Sequence, residues 1–378
     1  MDKLVGITAE YNPFHKGHKQ HLALSLEAAA CQRAVVVLSG NFVQRGEPAL
    51  VDKWKRTRMA LRAGASLVIE LPLYYATAAA GYFAKGAVSL LHNTGIIDSI
   101  SFGSETADIE ALQNYAEILL KKDDSASVRK YLKQGLSYPA AVARSANADM
   151  PSTPNDILGV EYIKALKELS SGIKPVAVPR SPGSALEVRN IIKSGEAPGG
   201  CLPAYAHDIL EGSVFADLDN LSLILRYKLG TEAPDILNSY LDVSEGLENR
   251  LIRCAKECTR ISELLPLLKT KRYTYLRLQR AILHIILNIT KKNMKLYEDS
   301  GGPCYIRVLG FRKDSADLLK LLQERSALPV ILNLKNLKLD NSNALMMLHE
   351  EIRSSNIYAL AFKERVNYNE YSMPIIII

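Results

Sequence analysis

Cysteine is scarce in this sequence and is not arranged as a metal site or a disulfide framework. The 378-residue chain has five cysteines, at positions 31, 201, 254, 258 and 304. An odd, scattered set in a long chain predicts reduced thiols and a cytoplasmic location. Cys254 and Cys258 are four residues apart, but no second pair follows them in the sequence, which argues against zinc.

A hydrophobic run long enough to cross a membrane is also missing from the sequence. The longest candidates, residues 281–289 and 375–378, fall well below the roughly 20 residues that a membrane helix needs. Residues 1–6 lack the charged stretch and apolar run of a signal peptide. We therefore expect no membrane association.

Negative charge is scarce in one part of the sequence. The whole chain has a formal net charge of +7. Residues 251–300 contain 11 Lys and Arg but only four acidic residues, so this segment alone carries an excess equal to that of the whole chain. A localised basic zone predicts a polyanionic partner.

The first half of the sequence alternates short apolar runs with helical patterns. Strands are predicted at 4–9, 34–38, 67–71, 99–103 and 175–178, and helices at 17–32, 53–63, 82–92 and 156–168. This alternation is typical of an α/β fold with a Rossmann-like, doubly wound parallel sheet, whose ligand lies beyond the carboxyl ends of the strands.

From about residue 200 the pattern becomes mostly helical. Helices are predicted at 218–229, 246–268, 272–291 and 315–324, and strands at 305–309 and 329–332. The change of pattern and the Pro198-Gly199-Gly200 stretch place a domain boundary between residues 1–198 and 199–378.

The most informative segment is Glu10-Tyr11-Asn12-Pro13-Phe14-His15-Lys16-Gly17-His18. A strand ends there, the chain turns at Asn12-Pro13, and a helix opens near Gly17, so free backbone N–H groups face the ligand edge. His15 and His18 are predicted to point the same way and to stabilise the transition state of attack on an α-phosphate. Gly17 lets a nucleotide approach the backbone. His21 lies one turn further on, and a surface position explains it equally well.

The His15-Lys16-Gly17-His18 segment resembles the H-x-G-H signature of the nucleotidyltransferase superfamily related to class I aminoacyl-tRNA synthetases. A closer resemblance, to the bacterial tRNA(Met) cytidine acetate ligase family, covers essentially the whole chain. It is carried by residues 39–49, 52–53, 64–65, 67–72, 102–105, 154–162, 271–275 and 371–374.

That resemblance implies an ATP-dependent ligase with a nucleotidyltransferase domain (1–198) and a mostly helical tRNA-binding domain (199–378). The enzyme would activate acetate as acetyl-adenylate and transfer the acetyl group to N4 of the wobble cytidine of elongator tRNA(Met), releasing AMP and pyrophosphate. ATP is then a substrate, triphosphate chemistry implies Mg²⁺, and no protein partner can be inferred.

The resemblance also assigns nucleotide contacts to residues of this chain. They are Ile7, Thr8, Ala9, Glu10, Tyr11, Asn12, Pro13, Phe14, His15, Lys16, Gly17, His18, Lys19, Gln20, Gly103, Asn155 and Arg180. A second phosphate motif, of the type S-x-T-x-I-R, corresponds to residues 184–189 and assigns Arg189 to the triphosphate. This sequence departs from the family there, with Leu186 in place of a hydroxyl residue and a shorter stretch after Arg180.

Two further groups of residues are candidates for the other substrates. Gln44 and Arg45 follow the second strand and are candidates for binding acetate. Arg45 could bind acetate or phosphate, or could instead pair with Glu47 to stiffen the loop. A mixture of basic and aromatic side chains near residue 270 predicts RNA contact, although a solvated helix face explains it too. Its members are Lys269, Lys271, Arg272, Tyr273, Arg277 and Arg280.

Two other functions fit parts of the sequence. An adenylyltransferase acting on a phosphorylated small molecule would share the H-x-G-H site but leaves the basic zone unused. A non-catalytic RNA-binding protein would explain Leu186 in the second motif but not the intact His15 and His18 pair.

Overall fold

The structure is a computed structural model, and it describes residues 2–121, 125–134, 138–146, 151, 153–180, 183–196, 198–270, 273–335 and 337–378. The strands are β1 (Leu4–Ala9), β2 (Arg33–Ser39), β3 (Phe42–Val43), β4 (Glu47–Pro48), β5 (Leu67–Leu71), β6 (Ser99–Ser104), β7 (Lys174–Pro179), β8 (Ile306–Phe311), β9 (Val330–Ile331) and β10 (Ile376–Ile377).

Helices make up most of the remaining regular structure. They are α1 (Lys16–Ala28), α2 (Lys53–Ala63), α3 (Leu73–Ala76), α4 (Ala80–Asn93), α5 (Ile109–Leu120), α6 (Ala126–Lys133), α7 (Tyr138–Ser145), α8 (Pro154–Glu168), α9 (Ala185–Lys193), α10 (Ala204–Leu210), α11 (Ser222–Thr231), α12 (Pro234–Ser239), α13 (Leu247–Cys254), α14 (Ile261–Leu268), α15 (Tyr275–Leu287), α16 (Lys291–Asp299), α17 (Asp317–Arg325) and α18 (Ser342–Tyr358). Across the described part of the chain, no helix is long and apolar enough to cross a membrane.

One large sheet organises the molecule, in the order β10-β8-β5-β2-β1-β6-β7, with β9 beside β8. Its pairings are parallel except for that between β5 and β8. This architecture confirms the predicted Rossmann-like α/β fold. Because β2 and β6 flank β1 on opposite sides, the strand order reverses at β1, and ligands of such sheets bind at this reversal.

The segment after residue 300 returns to this sheet. Strand β8 pairs antiparallel with β5, and β10 pairs parallel with β8. Strands from before and after residue 198 therefore share one sheet. In the chain order, the helical segment α10–α16 lies between these two groups of strands. The division into domains 1–198 and 199–378 stays a prediction.

Local signals explain where helices begin and end. Helix α2 lies where the sequence predicts it, because the Asp52 carboxylate accepts from the Lys55 backbone N–H and Gly64 ends it with φ of 116°. The long helix predicted at 246–268 is divided into α13 and α14. The helix predicted at 272–291 ends earlier, at Leu287, where Asn288 takes a left-handed conformation (φ 60°).

The small β3–β4 hairpin connects the sheet to the helical segment. Its turn residue Gly46 has φ of +82°, and a side-chain carbon there would lie 2.5 Å from the backbone nitrogen of Arg280 on α15. Only glycine permits so close an approach. The Gln279 amide also reaches Glu47 at 3.4 Å. Helix α15 is thus packed directly against the loop that carries Gln44 and Arg45.

A buried cluster of charged side chains connects α2 and β5 to the C-terminal strands and helix. Lys53 Nζ lies 2.5 Å from Glu70 and 2.9 Å from Glu370, while Arg307 bridges the same two carboxylates at 3.1 and 2.6 Å. Glu351 lies further from the lysine, at 3.9 Å. Burial, then repulsion from Glu70, raises the pKa of Glu351 to about 8, so two cations balance two carboxylates at neutral pH.

We expect Glu351→Gln to remove a pH dependence of stability. Since the pKa of Glu351 is raised in the folded protein, unfolding releases its proton, and the free energy of unfolding falls as pH rises from about 4.5 to 8. The slope from one group is at most about 1.4 kcal/mol per pH unit. Urea unfolding at several pH values should show that the free energy of unfolding of the variant rises relative to that of the wild type as pH increases. Glu324→Gln, on the exposed surface of α17, is the control. Parallel plots of unfolding free energy against pH for the wild type and Glu351→Gln would contradict the account.

Candidate nucleotide-binding site

The turn between β1 and α1 is held rigidly from two sides. The side-chain oxygen of Asn12 accepts from the Leu50 backbone N–H at 2.7 Å, and its carbonyl accepts from the Arg189 guanidinium at 2.7 Å. The Asn12–Pro13 peptide bond is cis. This turn places the N-terminus of α1 at the carboxyl end of β1, where the sequence predicts it.

The two predicted catalytic histidines are stacked at that N-terminus. Their ring centroids are 3.6 Å apart at an angle of 21°. The His15 backbone N–H donates to His18 Nδ1 at 3.2 Å, so a neutral His18 carries its proton on Nε2. His15 Nδ1 is buried and has no hydrogen-bond partner within the described residues. His18 therefore keeps Nε2 for a ligand, whereas His15 Nδ1 is enclosed by the protein.

The environment keeps both histidines neutral. Burial, and secondarily the charge of Arg180, lowers the pKa of His15 to about 4. Burial, and then the neighbouring His15 and His21, places the pKa of His18 well below its usual range. His18 can therefore present an Nε2–H donor to a developing negative charge without changing its protonation state. With the helix dipole, this forms a site for a phosphoryl oxygen.

Gly183 lies against the same helix N-terminus. A side-chain carbon on Gly183 would be 3.3 Å from His15 Nδ1 and 3.8 Å from the Gly17 backbone nitrogen. Sequence reasoning did not single out Gly183 for this role, although a glycine three residues after Arg180 was the available signal. Ser184 caps α9 by accepting from the Glu187 N–H, so it has a structural part in the second motif.

The predicted nucleoside residues come together at the ends of β6 and β7. Gly103 lies beside the His21 ring, and a side-chain carbon on this glycine would be 3.8 Å from His21 Cδ2. Asn155, in the first turn of α8, and Arg180, directly after β7, both contact Glu105, at 2.7 and 3.6 Å. Sequence reasoning did not single out Glu105, because only tertiary packing brings it into contact with Asn155 and Arg180.

A buried carboxylate fixes the loop that carries Glu105. Asp156 is 2 % exposed, accepts a hydrogen bond from the Ser104 hydroxyl and accepts from the Glu105 N–H at 3.2 Å and from the Thr153 hydroxyl at 2.7 Å. These three bonds join the end of β6 to the start of α8. The position of Glu105 therefore depends on Asp156.

The remaining candidates lie on the elements that surround the turn between β1 and α1. Arg189 is 7 % exposed and is engaged by the Asn12 carbonyl and, at 3.3 Å, by Glu47, so it braces the site. Its predicted contact with triphosphate stays a prediction. Glu10 accepts from the Gln44 backbone N–H at 2.8 Å, and burial raises its pKa. The structure pairs Glu47 with Arg189, whereas Arg45 is exposed at the hairpin tip.

The predicted RNA-binding group is largely built into the helical segment. Tyr273 is 5 % exposed and donates to the Glu245 carbonyl, so its burial argues against base stacking. Arg277 lies over the Tyr273 ring, and Arg280 pairs with Asp242 at 2.8 Å. Lys269 is exposed, with its Nζ donating to the Tyr273 carbonyl. Lys271 and Arg272 lie outside the described residues.

Paired histidines at the first helix of a Rossmann-like sheet are the arrangement expected of a nucleotidyl transferase. The chain belongs to the HIGH nucleotidyl transferase family, whose model matches residues 2–372.

Within that class, the chain is similar to proteins named tRNA(Met) cytidine acetate ligase. A relative of that name from Thermoanaerobacter sp. (strain X514) is 39 % identical over 389 residues, covering 95 % of this chain and 96 % of the relative. Another, from Caldanaerobacter subterraneus subsp. tengcongensis, is 38 % identical over 404 residues, covering 98 % and 99 %. The crystal structure of Thermotoga maritima TmcAL bound with alpha-thio ATP is also similar, with a TM-score of 0.92, 32 % identity, and coverage of 100 % and 99 %.

Replacing His18 by Ala is expected to slow adenylate formation by about 10²–10³-fold, the scale of losing one transition-state donor. The fold should survive, because His18 lies at the ligand edge and its replacement does not alter the main core. Single-turnover formation of adenylate measures the rate, and circular dichroism checks the fold. His207→Ala, an exposed helical histidine on α10, is the matched control. A folded His18→Ala enzyme with the wild-type rate would show that the catalytic site lies elsewhere.

Proposed function

We propose that this chain is a tRNA(Met) cytidine acetate ligase that activates acetate with ATP. The observation that carries the proposal is the pair of neutral, stacked histidines at the N-terminus of α1. The pair occurs in a chain similar along almost its whole length to relatives of that name.

The first step joins acetate to AMP. A carboxylate oxygen of acetate attacks the α-phosphorus, the bond to the β-phosphate oxygen breaks, and pyrophosphate leaves. Charge develops on the non-bridging α-phosphate oxygens, where His18 Nε2–H and the backbone N–H groups at the start of α1 donate. Glu10, Gln44 and Arg45 adjoin this edge, and Arg45 is the candidate acetate ligand.

The second step transfers the acetyl group to RNA. The exocyclic N4 of cytidine attacks the carbonyl of the mixed anhydride, AMP leaves, and N4 loses a proton. Cytosine N4 is a weak nucleophile because its lone pair is delocalised into the ring, so the reaction needs an activated acyl group. We assign elongator tRNA(Met) as the acceptor and the cytoplasm as the location.

In this proposal Mg²⁺ would bind together with ATP, through the triphosphate. The described residues contain no group of three or more His, Cys, Asp or Glu side chains suited to a metal ion. Mg²⁺ commonly keeps several waters and binds substrate phosphates rather than an all-protein cage. The ion would then enter with the triphosphate and neutralise part of its charge.

The packing of α15 against the β3–β4 hairpin supports a role for the helical segment in delivering RNA. Gly46 meets the backbone of Arg280, and Gln279 reaches Glu47. Because α15 belongs to the basic zone, RNA held on that zone would lie close to the acetate candidate loop. An adenylyltransferase of small molecules has no use for that connection.

ATP–pyrophosphate exchange tests the first step. We expect exchange to depend on acetate and to proceed without RNA, because the nucleotide site is complete without the basic zone. Propionate, formate and a phosphorylated metabolite serve as alternative substrates in the same assay. Exchange that requires the phosphorylated metabolite would identify an adenylyltransferase, and a folded protein with no exchange under any condition would identify a binding protein.

Replacing Lys269, Lys271 and Arg272 together by Ala is expected to weaken tRNA binding. The slope of log affinity against log salt should become shallower by about 0.7–0.9 for each lost phosphate contact, since fewer counterions are released. Fluorescence anisotropy over a salt series measures both quantities. The control replaces three exposed lysines elsewhere, Lys320, Lys335 and Lys338, by Ala. Loss of acetate-dependent exchange in the first variant would show that its residues support the fold instead.

A further inference from the structure

Glu105 is the one acidic side chain that contacts both nucleoside candidates among the described residues. Its Oε1 accepts from the Asn155 side-chain amide at 2.7 Å and lies 3.6 Å from Arg180 Nη1. Only 22 % of the Glu105 side-chain surface is exposed, compared with 54 % for Arg180. The Glu105 carboxylate is thus more enclosed than the Arg180 guanidinium that it contacts.

The backbone around Glu105 is fixed before any ligand arrives. Asp156 accepts from the Glu105 N–H at 3.2 Å and from the Ser104 hydroxyl. The Arg180 N–H donates to the Ser104 carbonyl at 2.9 Å. The loop is therefore tied to both α8 and β7, and Glu105 is held in one place.

These residues form a series of neighbours that leads from the nucleoside candidates toward the phosphate site. Asn155 contacts Glu105, and Glu105 contacts Arg180. Arg180 is three residues from Gly183, which lies against His15, and its charge contributes to the lowered pKa of His15. The order from nucleoside candidate to phosphate site is thus Asn155, Glu105, Arg180, His15.

A nucleotide has the matching order of base, ribose and phosphate. A carboxylate accepts hydrogen bonds but donates none, so it cannot bind phosphate oxygens favourably. Only the ribose hydroxyls and the N6 amino group of ATP can donate to it. The N6 amino group lies at the end of the base furthest from the triphosphate, whereas Glu105 lies on the phosphate side of Asn155. The ribose hydroxyls are the donors that fit this position.

We infer that the Glu105 carboxylate binds the ribose hydroxyls of ATP and thereby selects ribonucleotides over deoxyribonucleotides. This inference deepens the proposed function and rests on it. Carboxylates that accept from ribose hydroxyls are a common device of Rossmann-like folds. The contacts to Asn155 and Arg180 hold the carboxylate in the direction that the ribose needs.

Isothermal titration calorimetry tests the inference with ATP, 2′-deoxy-ATP, 3′-deoxy-ATP and inosine triphosphate. The wild type is expected to bind ATP about tenfold or more tightly than at least one deoxy analogue, the scale of a hydrogen bond to a charged group. Glu105→Ala should lose that preference, with the affinity for ATP falling to that for the deoxy analogue. Glu105→Gln keeps an acceptor oxygen and should retain part of the preference. Glu110→Ala, exposed on α5, is the matched control.

Three results would overturn the inference. Equal weakening of ATP and both deoxy analogues in Glu105→Ala would show that Glu105 only supports the loop. Tighter binding of all of them would show that it competes with the nucleotide. Loss of discrimination against inosine triphosphate alone would place the carboxylate at the adenine amino group.

The outcome is separable from that of the proposed function because it is read from binding. A wild-type protein that binds no ATP would defeat both. A wild-type protein that binds ATP and acetylates tRNA, but whose Glu105→Ala variant keeps full ribose discrimination, would defeat this inference alone.

Discussion

The nucleotide edge of this protein depends on one buried guanidinium. Arg56 of α2 donates to the carbonyls of Val51 at 3.0 Å, Glu10 at 2.7 Å and Ser39 at 3.0 Å, and to that of Gly40. The oxygens of Glu10, Ser39 and Gly40 lie at the ends of β1 and β2, and a buried carbonyl left without a donor costs about 1–3 kcal/mol. By holding them, Arg56 fixes where β1 stops, and so where the turn and the first helix begin.

Other buried charged side chains also join distant parts of the chain. Arg189 braces the turn from α9, and Asp156 holds the end of β6 from α8. The buried cluster around Lys53 and Arg307 attaches the C-terminal strands to the sheet. In each place a charged side chain satisfies backbone or carboxylate groups from distant parts of the chain. His15 and His18 are kept neutral by burial, while the surrounding network supplies the fixed, polar edge on which they lie.

Much of this could be predicted from the sequence where the information is local. Asp52 and Gly64 predict α2 because caps act within a few residues, and His15 and His18 are identifiable because their motif is contiguous. Glu105 could not be singled out from the sequence, since its contacts with Asn155 and Arg180 arise only through tertiary packing. The pairing of β8 with β5 could not be predicted either, because it too arises from tertiary packing. Tyr273 looked like a stacking residue because composition does not report burial.

The proposed enzyme connects an adenylate-forming site to an RNA acceptor, and mass spectrometry of the acceptor tests that connection most directly. Elongator tRNA(Met) would be incubated with the protein, ATP and isotopically labelled acetate, and with acetyl-CoA in place of ATP and acetate as the comparison. We expect one labelled acetyl group on N4 of the wobble cytidine with ATP and acetate, and none with acetyl-CoA. Unlabelled tRNA despite acetate-dependent pyrophosphate exchange would contradict the proposal, since the activated acetate would then have another acceptor.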